Sequence, residues 1–211
     1  MRFASFLAFV TAVSGAAIEK VATSPDGYTY EVVDESLYVP ETITHADGTT
    51  STVLIHPAFK WKRNEEEVAT SPNVEKRLEW RGGGFGHDNQ CGASTFINKS
   101  SGGSPKTTDC VKIRDHYRTA NGYFQTYTWD YGSHWTRLVI TGTCVFGVKS
   151  KNGAYPRIGS EDISDLTKDA INRFKTSDSP SRVGAEGNMG CNVQLISVSG
   201  SASVNWAIFH N

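Results

Sequence analysis

The chain predicts an α+β fold: a small disulfide-stapled sandwich of an antiparallel sheet with two helices. Three observations lead there. Apolar residues recur at three and four positions in two stretches, one through Cys110, Ile113 and Tyr117 and one from Ser160 to Phe174, which is the period of a buried helix face. Several other stretches alternate at period two, or run apolar between turn residues, as antiparallel strands do. Four cysteines, Cys91, Cys110, Cys144 and Cys191, form an even set without Cys-x-x-Cys spacing, which favours two disulfides over a zinc site.

In chain order, the first element is an apolar run over residues 3–13 that follows Arg2 and ends in Ser14-Gly15-Ala16-Ala17. That layout predicts a secretory signal peptide over 1–16, too short to span a bilayer. Residues 17–77 contain no cysteine and hold 6 Lys+Arg against 11 Asp+Glu, whereas residues 78–211 hold 14 against 11. An acidic N-terminal propeptide or extension therefore precedes a mildly basic, disulfide-linked domain. The dibasic pair Lys76-Arg77 is the expected processing point, and Lys62-Arg63 is a second pair in the same polar stretch. Residues 28–33 and 50–55 of the leader have strand character, and a leader strand docked on the domain would serve as an intramolecular chaperone or mask.

Within the domain, Ser104 followed by Pro105 predicts an N-cap with proline in the first helical position. The second helix places Ile163, Leu166, Ala170, Ile171 and Phe174 on one stripe, so Glu161, Asp162, Asp165, Lys168 and Asp169 are expected to face outward. Its acidic first turn complements the helix dipole. Residues 123–131 alternate, with Tyr123, Tyr127, Trp129 and Tyr131 on one face. Residues 137–141 and 144–148 flank Gly142, and 192–198 and 204–209 flank Ser199-Gly200-Ser201, which reads as two hairpins. About four to six strands result. Trp206 alternates with Val204 and Ile208 and is assigned to the core.

The charges set limits on function. Across 211 residues, 21 Lys+Arg nearly balance 22 Asp+Glu, which argues against coating nucleic acid. No amphipathic apolar helix is present to drive stable membrane insertion. Catalysis has no supporting motif: His87-Asp88 and Asp115-His116 are sequence neighbours that point different ways. There is no Gly-x-Ser-x-Gly elbow, His-Glu-x-x-His helix or P-loop, and residues 82–86, though glycine-rich, lack the Gly-Lys-Ser/Thr ending. Neither a metal nor a cofactor is implied. The face of Tyr123, Tyr127, Trp129 and Tyr131 is either core or a platform for stacking on cell-wall polysaccharide. Asn98-Lys99-Ser100 is a glycosylation sequon, which implies an exposed loop if it is used.

The spelling of the domain adds to its periodicity. Cys91-Gly92-Ala93-Ser94-Thr95-Phe96 is followed by Ser104-Pro105, Asp109-Cys110, Tyr131-Gly132 and Gly142-Thr143-Cys144-Val145-Phe146-Gly147-Val148. Then come Val183-Gly184-Ala185-Glu186-Gly187-Asn188-Met189-Gly190-Cys191 and Val204-Asn205-Trp206-Ala207. This ordered set, over about residues 88–210, resembles the fungal necrosis-inducing effector family typified by extracellular protein 2 of a leaf-mould pathogen. A more distant likeness runs to fungal killer toxins of the KP-four type, which share the Gly-x-Cys-x-Phe strand, the following helix, the glycine-rich cysteine turn and the last Val-Asn-aromatic strand. The toxin resemblance implies an α/β sandwich, while its denser disulfide set keeps its ion-channel activity from carrying over. The effector resemblance implies a secreted, extracellular protein acting on a host plant or a competing microbe without known catalysis. Its target and oligomeric state are not specified by these residues.

Four cysteines allow three pairings, and sequence alone does not choose among them. The expected set is Cys91 with Cys191 and Cys110 with Cys144, because Cys110 lies on a buried helix stripe and Cys144 shares a strand face with Phe146 and Val148. Closing the longer loop contributes about 4–5 kcal/mol in the chain-entropy picture. Their role is structural. For the processing step, N-terminal sequencing of the secreted protein is expected to return Leu78. A protein that begins at Ala17 or Ile18, and not at Leu78, overturns the propeptide.

Overall fold

Strands that are apolar on both faces need a cover on each side, and this requirement organises the architecture. The computed structural model describes residues 21–44, 48–55, 78–82, 88–126, 134–150, 156–194 and 199–211. In order these form β1 (Val21–Thr23), β2 (Thr29–Glu31), a 3-10 turn (Glu35–Leu37), β3 (Val39–Thr44), β4 (Thr50–Ile55), β5 (Leu78–Gly82), β6 (Cys91–Ser94) and β7 (Ile97–Asn98). There follow α1 (Thr107–Thr119), β8 (Gly122–Thr126), β9 (Thr136–Thr141), β10 (Cys144–Ser150), β11 (Arg157–Gly159), α2 (Ser160–Phe174), β12 (Ala185–Gln194) and β13 (Ser199–His210). The main sheet has the order β3-β4-β9-β10-β13-β12-β6, with β7 also paired to β12. A smaller sheet has the order β11-β8-β5, and β1 pairs with β2. All these pairings are antiparallel, so the α+β class holds.

Both helices lie on one face of the main sheet. Cys110, Ile113 and Tyr117 of α1, with Ile163, Leu166, Ala170 and Ile171 of α2, share a core with Phe146 and Val148 of β10 and with Val204, Trp206 and Ile208 of β13. Trp206 sits at its centre: the indole N–H donates to Ser94 Oγ at 2.6 Å, Phe96 meets its ring edge-on at 5.1 Å, and Phe146 stacks at 6.4 Å. A fully buried chain of this size contributes about 2–3 kcal/mol. The alternate residues Val145, Ala207 and Phe209 face the other side, where a second cluster forms with Trp135 and Ile140. On β9, Leu138 is an extra residue opposite the Phe146/Gly147 step, and this bulge lets both Leu138 and Val139 enter the helix-side core.

Several sequence expectations are corrected. α1 starts at Thr107 with Lys106 as N-cap, two residues after the expected proline start, because Ser104 is otherwise engaged. Its hydroxyl accepts from the Ser101 N–H at 2.9 Å and donates to the Lys99 carbonyl at 3.2 Å. The glycine-rich stretch before Cys191 is not a turn but the first half of β12, paired with β13 from Ala185↔Ile208 to Gln194↔Ser199. Glycine at 187 serves close approach: a Cβ there would collide with the Thr95 carbonyl and sit 2.7 Å from Trp206 Nε1. The expected turn residues Ser199, Gly200 and Ser201 consequently belong to β13. The sheet is also wider than expected, because the acidic leader supplies β3 and β4.

Asp162 is a further correction. It does not face solvent but is 9% exposed, and its carboxylate accepts the Gly159 N–H at 2.9 Å, the Gln90 N–H at 2.9 Å and the Cys91 N–H at 3.1 Å. One side chain thus caps α2 and pins the start of β6. Burial pushes its pKa up to about 6, against the three N–H groups that favour the charged form.

Two predictions follow from these buried groups. Asp162→Ala strands three backbone donors and is expected to cost about 3 kcal/mol or more in chemical denaturation, against less than about 0.5 for its exposed neighbour in Glu161→Ala. Burial lowers the His116 pKa from 6.5 to about 4, although Glu41 Oε2 lies 3.5 Å from its Nε2 and favours the cation. The stability this neutral imidazole contributes is present above pH 6.5 and is lost as pH falls from 6.5 toward 4, by about 1–3 kcal/mol. Asp162, with a raised pKa, runs in the opposite sense, so the readout is the difference between His116→Gln and its parent, which should grow in the variant's favour over that interval.

Candidate functional site

The disulfides frame the region that presents charge. Cys91 is bonded to Cys191 across the β6–β12 pair, with Cα atoms 4.0 Å apart, and Cys110 of α1 is bonded to Cys144 of β10, with Cα atoms 5.3 Å apart. Beside the second bridge, Asp109 accepts from Thr143 N–H at 3.0 Å and Thr143 Oγ1 at 2.8 Å, and pairs with Lys112 at 3.2 Å. Burial alone would raise the Asp109 pKa, but the bonds from Thr143 and Lys112 hold it below the usual carboxylate value. The helix is thereby tied to the β9–β10 turn at two adjacent residues.

Next to the first bridge, the outward side of α2 and the segment leading into β6 form an acidic groove. Two adjoining depressions, of about 250 and 190 Å³, share Glu161 and Asp165 in their walls. Asp88 lines the first, and Asp169 and Cys91 line the second. Glu161 and Asp165 are exposed, whereas Asp162 lies beneath them with its carboxylate engaged by backbone. Cations stand beside these carboxylates: Arg118 lines the first depression, Lys168 reaches Asp165 at 3.7 Å, and Arg173 reaches Asp169 at 3.2 Å. Such a groove attracts a cationic group of a partner, and surface pairs of this kind are weak enough to exchange.

Among the described residues, the others singled out from sequence do not come together. Tyr123 is 4% exposed and covered by the Arg157 guanidinium, 4.9 Å from its ring centroid, so at this position the ring is packed and not presented. Tyr127, Trp129 and Tyr131 lie outside the described residues, as do Lys76, Arg77 and His87. Asn98 is exposed on β7, and its side-chain oxygen accepts from Ser100 N–H at 2.9 Å. Asp115 pairs with Arg114 at 2.8 Å while its neighbour His116 is buried. Among the described residues no group of His, Cys, Asp or Glu is placed to hold a metal, and no helix is long and apolar enough to cross a membrane.

Sequence reasoning missed a second surface, the outer face of the main sheet. There the buried Arg137 donates to Glu35 Oε1 at 3.0 Å and lies over the Tyr30 ring at 4.4 Å. The signal for this face was present as runs apolar at consecutive positions, Leu138-Val139-Ile140, Val145-Phe146 and Ala207-Ile208-Phe209, which mark strands covered on both sides.

Residues 90–191 match the family Hce2, described as "Pathogen effector; putative necrosis-inducing factor". No match is found among curated proteins or among solved structures. The matched segment nearly coincides with the loop closed by Cys91–Cys191 and holds both disulfides and the acidic wall of α2, while β13 lies beyond it. Over residues 90–191, a little under half of its length, this chain is similar to the Hce2 family of pathogen effectors.

Proposed function

We propose that this protein is a secreted effector that acts outside the fungal cell on a host plant, by binding and not by catalysis. The observation that carries the reading is that the segment matched to the effector family also builds the exposed acidic groove, from Glu161, Asp165 and Asp169 over a buried Asp162. The groove is rigidly mounted: Asp162 fixes α2 to the start of β6, and the Cys91–Cys191 bond fixes β6 to β12. Preorganised charge of this kind confers partner selectivity and fast association. The groove's partner presents a cationic group.

A nucleophile, a free base and an orienting group are what hydrolysis would need together. Asp162 is committed to three backbone donors, and His116 faces Glu41 on β3, so both of these groups serve the fold. A killer-toxin-like antimicrobial role and cell-wall polysaccharide binding are the competing outcomes.

The purified full chain, applied to leaves and to competing fungal cells beside a reduced and alkylated sample, decides among these. Death in leaves alone, lost on reduction, is the expected result, and the exposed triple reversal E161K/D165K/D169K should raise the effective dose by about tenfold or more. Death in fungal cells alone favours the killer-type role. Inactivity in both, with retention on chitin or glucan that Trp129→Ala abolishes, favours the polysaccharide module.

A further inference from the structure

The acidic leader is not an appendage to the fold. Its described residues bury the outer face of the main sheet: Tyr28, Tyr30, Val33, Tyr38 and Leu54 pack on Trp135, Ile140, Val145, Ala207 and Phe209. Tyr28 stacks on Phe209 with ring centroids 5.0 Å apart, and Phe209 can lie across β10 because position 147 is glycine, where a Cβ would be 2.6 Å from its ring. Backbone groups join the two parts as well. Trp135 N–H donates to the Thr29 carbonyl at 3.0 Å, Glu31 N–H donates to the Trp135 carbonyl at 3.3 Å, and Leu54 and Ile55 pair with Ile140 and Val139. At the far end of the sheet, His210 N–H donates to Asp26 Oδ2 at 3.0 Å.

Arg137 shows how closely the two parts are matched. It is 3% exposed, and the leader supplies most of its surroundings: Glu35 Oε1 at 3.0 Å, the Val33 carbonyl at 3.4 Å, and the rings of Tyr30 at 4.4 Å and Tyr38 at 5.8 Å. Its other hydrogen-bond partner is Asn211 Oδ1 at 2.9 Å. Tyr38 Oη also donates to the Arg137 carbonyl at 3.2 Å. Without the leader, a buried cation would lose its counter-ion, and an apolar face and the β9 edge would be bare. On the helix side, Val53 and Ile55 are fully buried in the main core.

None of this attachment is covalent beyond the chain itself. Both disulfides lie within residues 91–191, and both dibasic pairs, Lys62-Arg63 and Lys76-Arg77, lie between β4 and β5. We infer that the outer face of the main sheet is a docking surface for residues 21–55 as a separate piece, so that cleavage after Arg77 yields a two-piece protein and not a free 78–211 domain. The docked piece adds β3 and β4 to the sheet, places a carboxylate on Arg137 and covers Phe209 with aromatic rings. This assignment stands apart from the effector reading, since it concerns how the chain holds together and not what it binds.

The test uses the full chain, folded with its disulfides formed and then nicked by a dibasic-specific protease. Under native gel filtration the two pieces are expected to co-elute at the volume of the intact chain and to separate only in denaturant. Glu35→Lys, at a side chain 51% exposed, should speed release of the N-terminal piece at least about tenfold, whereas Ser36→Lys, the same charge placed toward solvent, should not. Separation of the pieces under native conditions overturns the inference, whether the 78–211 piece then stays monomeric or aggregates. Equal release rates for Glu35→Lys and Ser36→Lys overturn the role given to Arg137.

Discussion

The constraint on which the rest of this structure depends is the burial of β10 and β13 on both faces. Phe146, Val148, Val204, Trp206 and Ile208 require a cover on one side, while Val145, Ala207 and Phe209 require another on the opposite side. Two helices meet the first requirement. The second falls to the N-terminal segment, whose tyrosines combine apolar rings with hydroxyls that reach Arg137 and Glu186. A segment that composition marks as a separate acidic leader is for this reason part of the sheet.

The domain is fastened at points where the hydrophobic core alone would leave strand and helix ends loose. Cys110–Cys144 and the Asp109–Thr143 bonds fasten α1 to the β9–β10 turn, and Cys91–Cys191 with Asp162 fastens β6 between α2 and β12. Each pairs a disulfide with a carboxylate that accepts backbone N–H groups, so cross-link and polar satisfaction act at the same place. The acidic groove is mounted on the second of these junctions. Its outer carboxylates at 165 and 169 sit in surface pairs with Lys168 and Arg173, while the one at 162 is held by the fold.

The long-period patterns were legible in the sequence for direct physical reasons. The stripe from Ile163 to Phe174 is a helix because 3.6-residue spacing puts those chains on one side, and the alternation through Val204, Trp206 and Ile208 is a strand because period two does the same. The 144–148 strand and the α1 stripe also brought Cys144 and Cys110 to facing surfaces. The short-range signals were less secure. Glycines before Cys191 suggest a turn, yet Gly187 is needed for the close approach of Thr95 and Trp206 within a long strand. Asp162, polar and in a first helical turn, looks solvated until Gln90, Cys91 and Gly159 are seen to aim their N–H groups at it.

By itself, then, the sequence determined the class of fold, the two helices, the last strand with its buried tryptophan and the family likeness of the cysteine-bounded segment, because each is written in local period or ordered spelling. Tertiary structure alone decided that Asp162 is buried, that Arg137 takes its counter-ion from Glu35 about a hundred positions earlier, and that the acidic leader completes the sheet. These depend on which distant surfaces meet, and no local pattern records the partner a side chain finds across the core.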